Sequence, residues 1–228
     1  MIIDYLNKTI QLKICYFGPA LSGKTTTMKS LFNHFGKKDK VLSIESSVRR
    51  TLFFDYGTIS FKNQQWLLKI HLYSTTGQDF YIVTRPVTLQ AIDGIIFVAD
   101  SQQSVYYRNL TSWNELCSYF EDHLIKMPKI LSFNKQDLPD TFDTSEFLEN
   151  INYFKYKNLK IKKTIAIQGV GVVESFEDLI GLIFKKIYKS HLIRNKVLFP
   201  RRLLAQNLVL RKVYLHSLPV FFPIFLTF

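Results

Sequence analysis

Cysteine is scarce in this 228-residue chain, with Cys15 and Cys117 its only two. Two thiols are too few for a disulfide scaffold and suit a reducing compartment. No basic n-region opens the sequence, and Asp4 comes early, so a secretory leader is not expected. Position 2 is Ile rather than Gly, and no cysteine lies near the C-terminus, which excludes myristoylation and prenylation signals. The strongly apolar stretch Val213–Phe228 is sixteen residues long and contains Pro219 and Pro223. A spanning helix needs about twenty apolar residues, so this stretch is a poor transmembrane candidate.

Acidic residues are missing altogether from Leu179 to Phe228. Lys185, Lys186, Lys189, Arg194, Lys196, Arg201, Arg202, Arg211 and Lys212 fall there and supply nine positive charges of a net +12. Residues 1–178 are nearly balanced, as in an ordinary soluble enzyme. A basic tail is not a basic stripe across a fold, so no nucleic-acid partner is expected.

Hydrophobic runs alternate with helix-like stretches. Strand signals cover Ile10–Phe17, Phe53–Phe61, Trp66–Tyr73, Ile92–Ala99, Lys129–Phe133 and Lys160–Ile167. The second and third of these can pair as a hairpin. Helical stretches cover Thr25–Phe35, Tyr106–His123, Phe142–Asn150 and Phe176–Ser190. This alternation predicts an α/β fold whose mostly parallel central sheet carries helices on both faces. Ligands of such sheets sit at the carboxyl ends of the strands. One domain over 1–190 and a basic, hydrophobic extension over 191–228 follow as the expected division. The extension suits contact with a membrane surface, a segment packed on the domain, or a loosely ordered tail.

Between the first strand and first helix stands Gly18-Pro19-Ala20-Leu21-Ser22-Gly23-Lys24-Thr25, a full match to the phosphate-binding loop G-x-x-x-x-G-K-[ST]. Backbone N–H groups of such a loop point inward, and the helix N-terminus, with Thr26 in its first turn, adds its positive dipole end. Lys24 can reach the β- and γ-phosphates, and the Thr25 hydroxyl can ligate Mg²⁺.

The loop alone does not separate ATP from GTP. Asn134-Lys135-Gln136-Asp137 follows a short apolar strand and lies 110 residues beyond Lys24. A carboxylate at Asp137 can accept hydrogen bonds from guanine N1–H and the exocyclic amine, a donor pair that adenine lacks. The Lys135 stem can lie along the base, and Asn134 can tie this loop to the phosphate loop. A third base contact is expected from Ala166-Ile167 and the glycines that follow, although those glycines fit a plain left-handed turn equally well. The bound ligand read from these motifs is GTP or GDP.

After Trp66–Tyr73 comes Ser74-Thr75-Thr76-Gly77-Gln78, where small GTPases carry D-x-x-G-Q. Gly77 would touch the γ-phosphate and Gln78 would orient the attacking water. Ser74 replaces the usual Asp, so an outer-sphere Mg²⁺ contact must come from elsewhere.

Together these residues resemble the MglA family of bacterial Ras-like GTPases, over about residues 3–189. Lys13–Pro19, Arg50–Asp55, His71–Tyr73 leading to Gly77-Gln78, and Asp93–Gln102 are similar to family strings. The resemblance implies a GTP/GDP switch that sets cell polarity and direction of movement, with conformational change at about 45–60 and 74–88. It implies an arginine in cis at Arg50, with Arg49 beside it leaving the assignment one residue open. It implies Thr51 as the Mg²⁺-ligating threonine. It also implies that a small residue at Ser74 is normal, and Asp55 is the local candidate for the missing acid. A roadblock-type GAP of the MglB kind, a monomeric state and a cytoplasmic location with recruitment to a pole or inner membrane surface come with it. Ala20 and Thr76 stand where the family usually has Gly and Pro. The Ala20 methyl sits where Gln78 and Arg50 must approach the γ-phosphate, so very slow intrinsic hydrolysis is expected. A non-catalytic, GTP-dependent scaffold is the alternative.

Overall fold

A computed structural model of the chain describes residues 1–36, 42–45, 51–62, 65–75 and 85–193, of which 42–45, 51–54 and 187–193 are described in backbone only. Among the described residues eight strands form one sheet. They are β1 (Ile2–Asp4), β2 (Thr9–Phe17), β3 (Leu42–Glu45), β4 (Thr51–Lys62), β5 (Leu67–Thr75), β6 (Gly94–Asp100), β7 (Lys129–Asn134) and β8 (Leu159–Lys163). The spatial order is β3-β4-β5-β2-β6-β7-β8, with β1 pairing on β2. From β5 through β8 all pairs are parallel, while β1, β3 and β4 pair antiparallel.

The helices are α1 (Lys24–His34), α2 (Arg85–Leu89), α3 (Tyr106–Phe120), α4 (His123–Lys126), α5 (Thr144–Asn150) and α6 (Val172–Ile193). The period-two alternation of the strands divides the core between two faces. Ile10, Leu12, Ile14 and Tyr16 of β2 pack with Met28 and Phe32 of α1 and Phe176 and Leu179 of α6. Cys15 and Phe17 point the other way, into a cluster with Trp113 of α3 and Phe147 of α5. Every residue of β6 is buried, which is why it reads in sequence as an unbroken apolar run. At its first residue Gly94, a Cβ would stand 2.9 Å from Leu179 Cδ1 and 3.0 Å from Ile183 Cδ1, so α6 crosses there at close range.

Two expected elements end early. The helix expected over Tyr106–His123 stops at Phe120, because Glu121 takes φ 46° and the chain restarts in the short α4. The strand expected over Lys160–Ile167 stops at Lys163, since the backbone beyond it hydrogen-bonds into a loop around Asn134. The strands β1 and β3 had no signal in the sequence, being three and four residues long.

Candidate nucleotide site

The Gly18–Thr25 loop leaves the end of β2 and enters α1 through two glycines that no other residue could replace without a shift. Gly18 has φ 144°, and a Cβ there would sit 2.2 Å from the Val98 carbonyl oxygen. Gly23 has φ 99°, and a Cβ there would sit 2.3 Å from Asn134 Nδ2. Leu21 also takes a left-handed conformation, φ 63°, which a leucine adopts only at a cost of roughly 1–2 kcal/mol. The loop therefore has a fixed path. Pro19 and Ala20 complete its turn, Ser22 is fully buried, and Thr26 is exposed in the first turn of α1.

Lys24 is folded back beneath the loop, donating to the Gly18 carbonyl at 2.9 Å and the Pro19 carbonyl at 2.7 Å. Burial lowers its pKa to about 7, with the Arg85 charge as the next cause and the Asp55 carboxylate opposing both. Arg85 itself is buried, ion-paired with Glu115 of α3, and stacked 5.9 Å from the Phe17 ring centroid. Glu115 also accepts from the Tyr119 hydroxyl at 3.0 Å. Between about pH 7 and 10.5 the unfolded chain holds a proton that folded Lys24 has shed. This group alone thus favours the folded chain increasingly as pH rises through that window.

Beside Lys24, the Thr25 hydroxyl donates to Asp55 Oδ2 at 2.5 Å. Asp55 is fully buried on β4, directly across the antiparallel register from Ser74 on β5. Asp55 Oδ1 and Ser74 Oγ are both buried, with no hydrogen-bond partner among the described residues. A buried carboxylate oxygen without a partner is costly, so this pocket is built for something that supplies donors or positive charge.

Asn134 ends β7 and joins three loops. Its Nδ2 donates to the Ser22 carbonyl at 2.8 Å, and its Oδ1 accepts from the Ala166 N–H at 2.9 Å and the Thr164 hydroxyl at 3.3 Å. Lys135 follows with φ 66°, its ammonium held by Asp100 Oδ2 at 2.5 Å and Gln102 Oε1 at 3.4 Å. Gln136 Nε2 donates to Ser101 Oγ at 2.6 Å. Asp137, fixed by these neighbours, leaves its carboxylate exposed. Ala166 is buried and Ile167 is 80% exposed, so the chain turns outward there. Gly169 and Gly171 serve that turn, with φ 78° and 72°; a Cβ on Gly171 would lie 2.6 Å from the Lys163 carbonyl oxygen.

The fold thus gathers Gly18–Thr25, Asn134–Asp137 and Ala166-Ile167 at the carboxyl ends of β2, β7 and β8. Thr51 opens β4, with only its backbone described. Arg50, Gly77 and Gln78 lie outside the described residues. Two contacts leave no mark in the sequence: Asp100 as the anchor of Lys135, and the Arg85–Glu115 pair near Lys24. Each joins residues at least thirty positions apart, and no local pattern marks such a pairing.

Residues 1–183 match the ADP-ribosylation factor family. The chain is a small GTPase of that family. The mutual gliding-motility protein MglA of Myxococcus xanthus is 32% identical over 194 residues, covering 82% of this chain and 98% of that protein. The Ras-related protein YPTC6 of Chlamydomonas reinhardtii is 24% identical over 196 residues, covering 86% of this chain and 80% of its own. As a member of this family the GTPase binds GTP and GDP, hydrolyses GTP and acts as a molecular switch; a non-catalytic scaffold is not favoured. Among the described residues no helix is long and apolar enough to cross a membrane.

Proposed function

We propose that this GTPase is a Mg²⁺-dependent switch for cell polarity or gliding motility. In this role it hydrolyses GTP slowly alone and faster with a roadblock-type GAP of the MglB kind docked over 45–60 and 74–88. The G domain spans 1–190, and 191–228 is an appendage to it. The protein works in the cytoplasm and is recruited to a pole or the inner membrane surface. The similarity to MglA supports the pathway class.

The observation that carries the chemical reading is the buried set Thr25, Asp55 and Ser74. Ser74 is too short to reach a hydrated cation, and Asp55, opposite it in register, brings the missing carboxylate from the neighbouring strand. The buried set fits a hard divalent ion: the Thr25 hydroxyl would be a ligand, the free Asp55 Oδ1 would accept from the ion's waters, and Thr51 would join them as the resemblance implies. Bound Mg²⁺ would supply positive charge to offset what develops on the phosphates during transfer. Lys24 and the loop N–H groups hold the phosphates, Gln78 orients water, and Arg50 offsets charge on the transferring phosphoryl. Asp55→Ala is expected to raise the Mg²⁺ concentration needed for tight GDP retention by about tenfold, a loss of roughly 1.4 kcal/mol. Release of a fluorescent GDP analogue across a Mg²⁺ titration measures this, and an unchanged midpoint would remove Asp55 from the metal site. The variant also loses the acceptor of the Thr25 hydroxyl, so its thermal melting without nucleotide is the control for folding.

Ala20 accounts for the slow step. Its methyl crowds the space that the Gln78 amide and the Arg50 guanidinium must share at the γ-phosphate. Intrinsic rates in small GTPases are already about 10⁻⁴ per second. Single-turnover hydrolysis of γ-labelled GTP, with and without a roadblock partner, tests the reading. Ala20→Gly should accelerate both reactions, by about tenfold for each 1.4 kcal/mol of relieved crowding. Equal rates for the two proteins would refute the role given to Ala20, and no response to the partner would refute the GAP.

A further inference from the structure

The pole opposite the phosphate loop carries a set of cations that the nucleotide chemistry does not use. The strands β2, β6, β7 and β8 run parallel, so the amino ends of β6, β7 and β8 lie together, away from the site. Two segments are stitched together there. The Lys157 N–H donates to the Ile125 carbonyl at 3.0 Å, and Asn158 Nδ2 donates to the Lys126 carbonyl at 2.8 Å. Lys126, Lys155 and Lys157 are exposed and make no ion pair among the described residues. Lys160 and Lys162, by contrast, are both taken by Asp178.

Next to Lys155 in the chain stands Phe154, 78% exposed. It lies against the ring of half-buried Tyr153, centroids 3.9 Å apart, and Tyr153 packs on the core. The exposed ring is therefore held in place rather than free to fold back. The end of α6 reaches the same pole, since Ile183 packs over Gly94 at the start of β6, and Lys186 acts electrostatically on Lys129 at the start of β7. Lys185 and Lys186 are exposed there. Exposed Glu121 and Asp122 precede α4, exposed Glu149 closes α5, and Asp93 before β6 is taken by the N-terminal ammonium, against five lysines without an ion pair among the described residues. Beyond Ile193 the chain continues with Arg194, Lys196, Arg201, Arg202, Arg211 and Lys212, no acid, and a run holding Phe221, Phe222, Phe225 and Phe228.

We propose that this pole is a docking surface for an anionic lipid bilayer, with Phe154 entering the headgroup region and Lys126, Lys155, Lys157, Lys185 and Lys186 facing acidic headgroups. The nucleotide site is turned away and stays open to partners. Lysines near such a surface contribute about 1 kcal/mol each, and the attraction decays within a Debye length. The aliphatic and aromatic run that ends the chain favours a bilayer over a nucleic acid. A nucleic acid would satisfy the lysines and could stack its bases on the phenylalanines, but it offers no apolar medium for the aliphatic Leu218, Val220, Ile224 and Leu226. The proposal stands apart from the GTPase chemistry and extends the membrane recruitment proposed above to a surface of the folded domain.

Co-sedimentation of the full chain with vesicles of phosphatidylcholine and phosphatidylglycerol in a 7:3 ratio, against pure phosphatidylcholine, tests it. Binding is expected to the anionic vesicles alone and to fall steeply between 0.1 and 0.5 M salt. The triple variant K126E/K155E/K157E should weaken it by about a hundredfold, and Phe154→Ser by about fivefold, with bound nucleotide retained in both as the control for folding. The proposal is overturned by equal binding of the triple variant, by equal binding to neutral vesicles, or by no binding at all. Retention of a short RNA in preference to the vesicles would also overturn it. Loss confined to deletion of 191–228 would assign the membrane to the tail and not to this surface.

Discussion

Lys24→Ala is expected to weaken GTP and GDP binding by about a thousandfold, or roughly 4 kcal/mol, the range for removing one partner of a buried charge pair. The lysine is positioned for this at the level of the backbone. Gly18 and Gly23 take left-handed conformations that bring the loop carbonyls of Gly18 and Pro19 onto its ammonium, and Arg85 adds a second positive charge nearby. A pH signature should accompany the loss. Within its own protein surroundings Lys24 has a pKa near 7, while phosphate oxygens beside it would raise that value. Above pH 7 binding then takes up a proton, and affinity falls by up to about tenfold per pH unit until the raised pKa is passed. Calorimetry in two buffers of different ionisation enthalpy reads the uptake directly. In Lys24→Ala the buffer dependence should disappear with the affinity. Wild-type affinity in the variant would sink the assignment of the phosphate loop; a flat pH profile in the wild type would sink the linkage alone.

The parts of this site that the sequence makes legible are those whose chemistry is local. The glycine spacing before Lys24 and the Asn134–Asp137 string are each contained in a few residues, and the apolar β6 marks a strand buried on both faces. What depends on register is not legible. Asp55 lies opposite Ser74 only because β4 and β5 pair as they do, and a slip of one residue would turn Asp55 to the other face of the sheet. From the sequence Asp55 is merely a nearby acid; the pairing puts it against Thr25. The same holds for Asp100, which reaches Lys135 because β6 and β7 end side by side. The strand expected through Ile167 overran for a related reason: Asn134, fixed by β7, captures the Ala166 N–H, and a distant side chain overrides local strand propensity. The short α4 after Glu121 was hidden because a non-glycine at φ 46° leaves no sequence mark.

Asp137→Asn is expected to exchange guanine for xanthine, with a swing in the GTP-to-XTP preference of about ten-thousandfold, the range seen where a site built around polar hydrogen bonds meets the wrong partner. The direction follows from donors and acceptors. The carboxylate accepts from guanine N1–H and the 2-amino group, whereas an amide sets its own N–H against that amino group. Xanthine carries a carbonyl at that position, so the amide oxygen still accepts from N1–H while the amide nitrogen donates to the new oxygen. The substitution should leave the loop intact. Among the described residues the Asp137 carboxylate makes no hydrogen bond to the chain, and the loop is held by Asn134 on Ser22, Lys135 on Asp100 and Gln136 on Ser101. Competition of GTP and XTP against a fluorescent nucleotide measures the swing. Loss of GTP binding with no gain for XTP would mean that Asp137 supports the loop rather than reads the base. Unchanged GTP binding would move base recognition elsewhere, to the Ala166-Ile167 turn that Asn134 holds beside it.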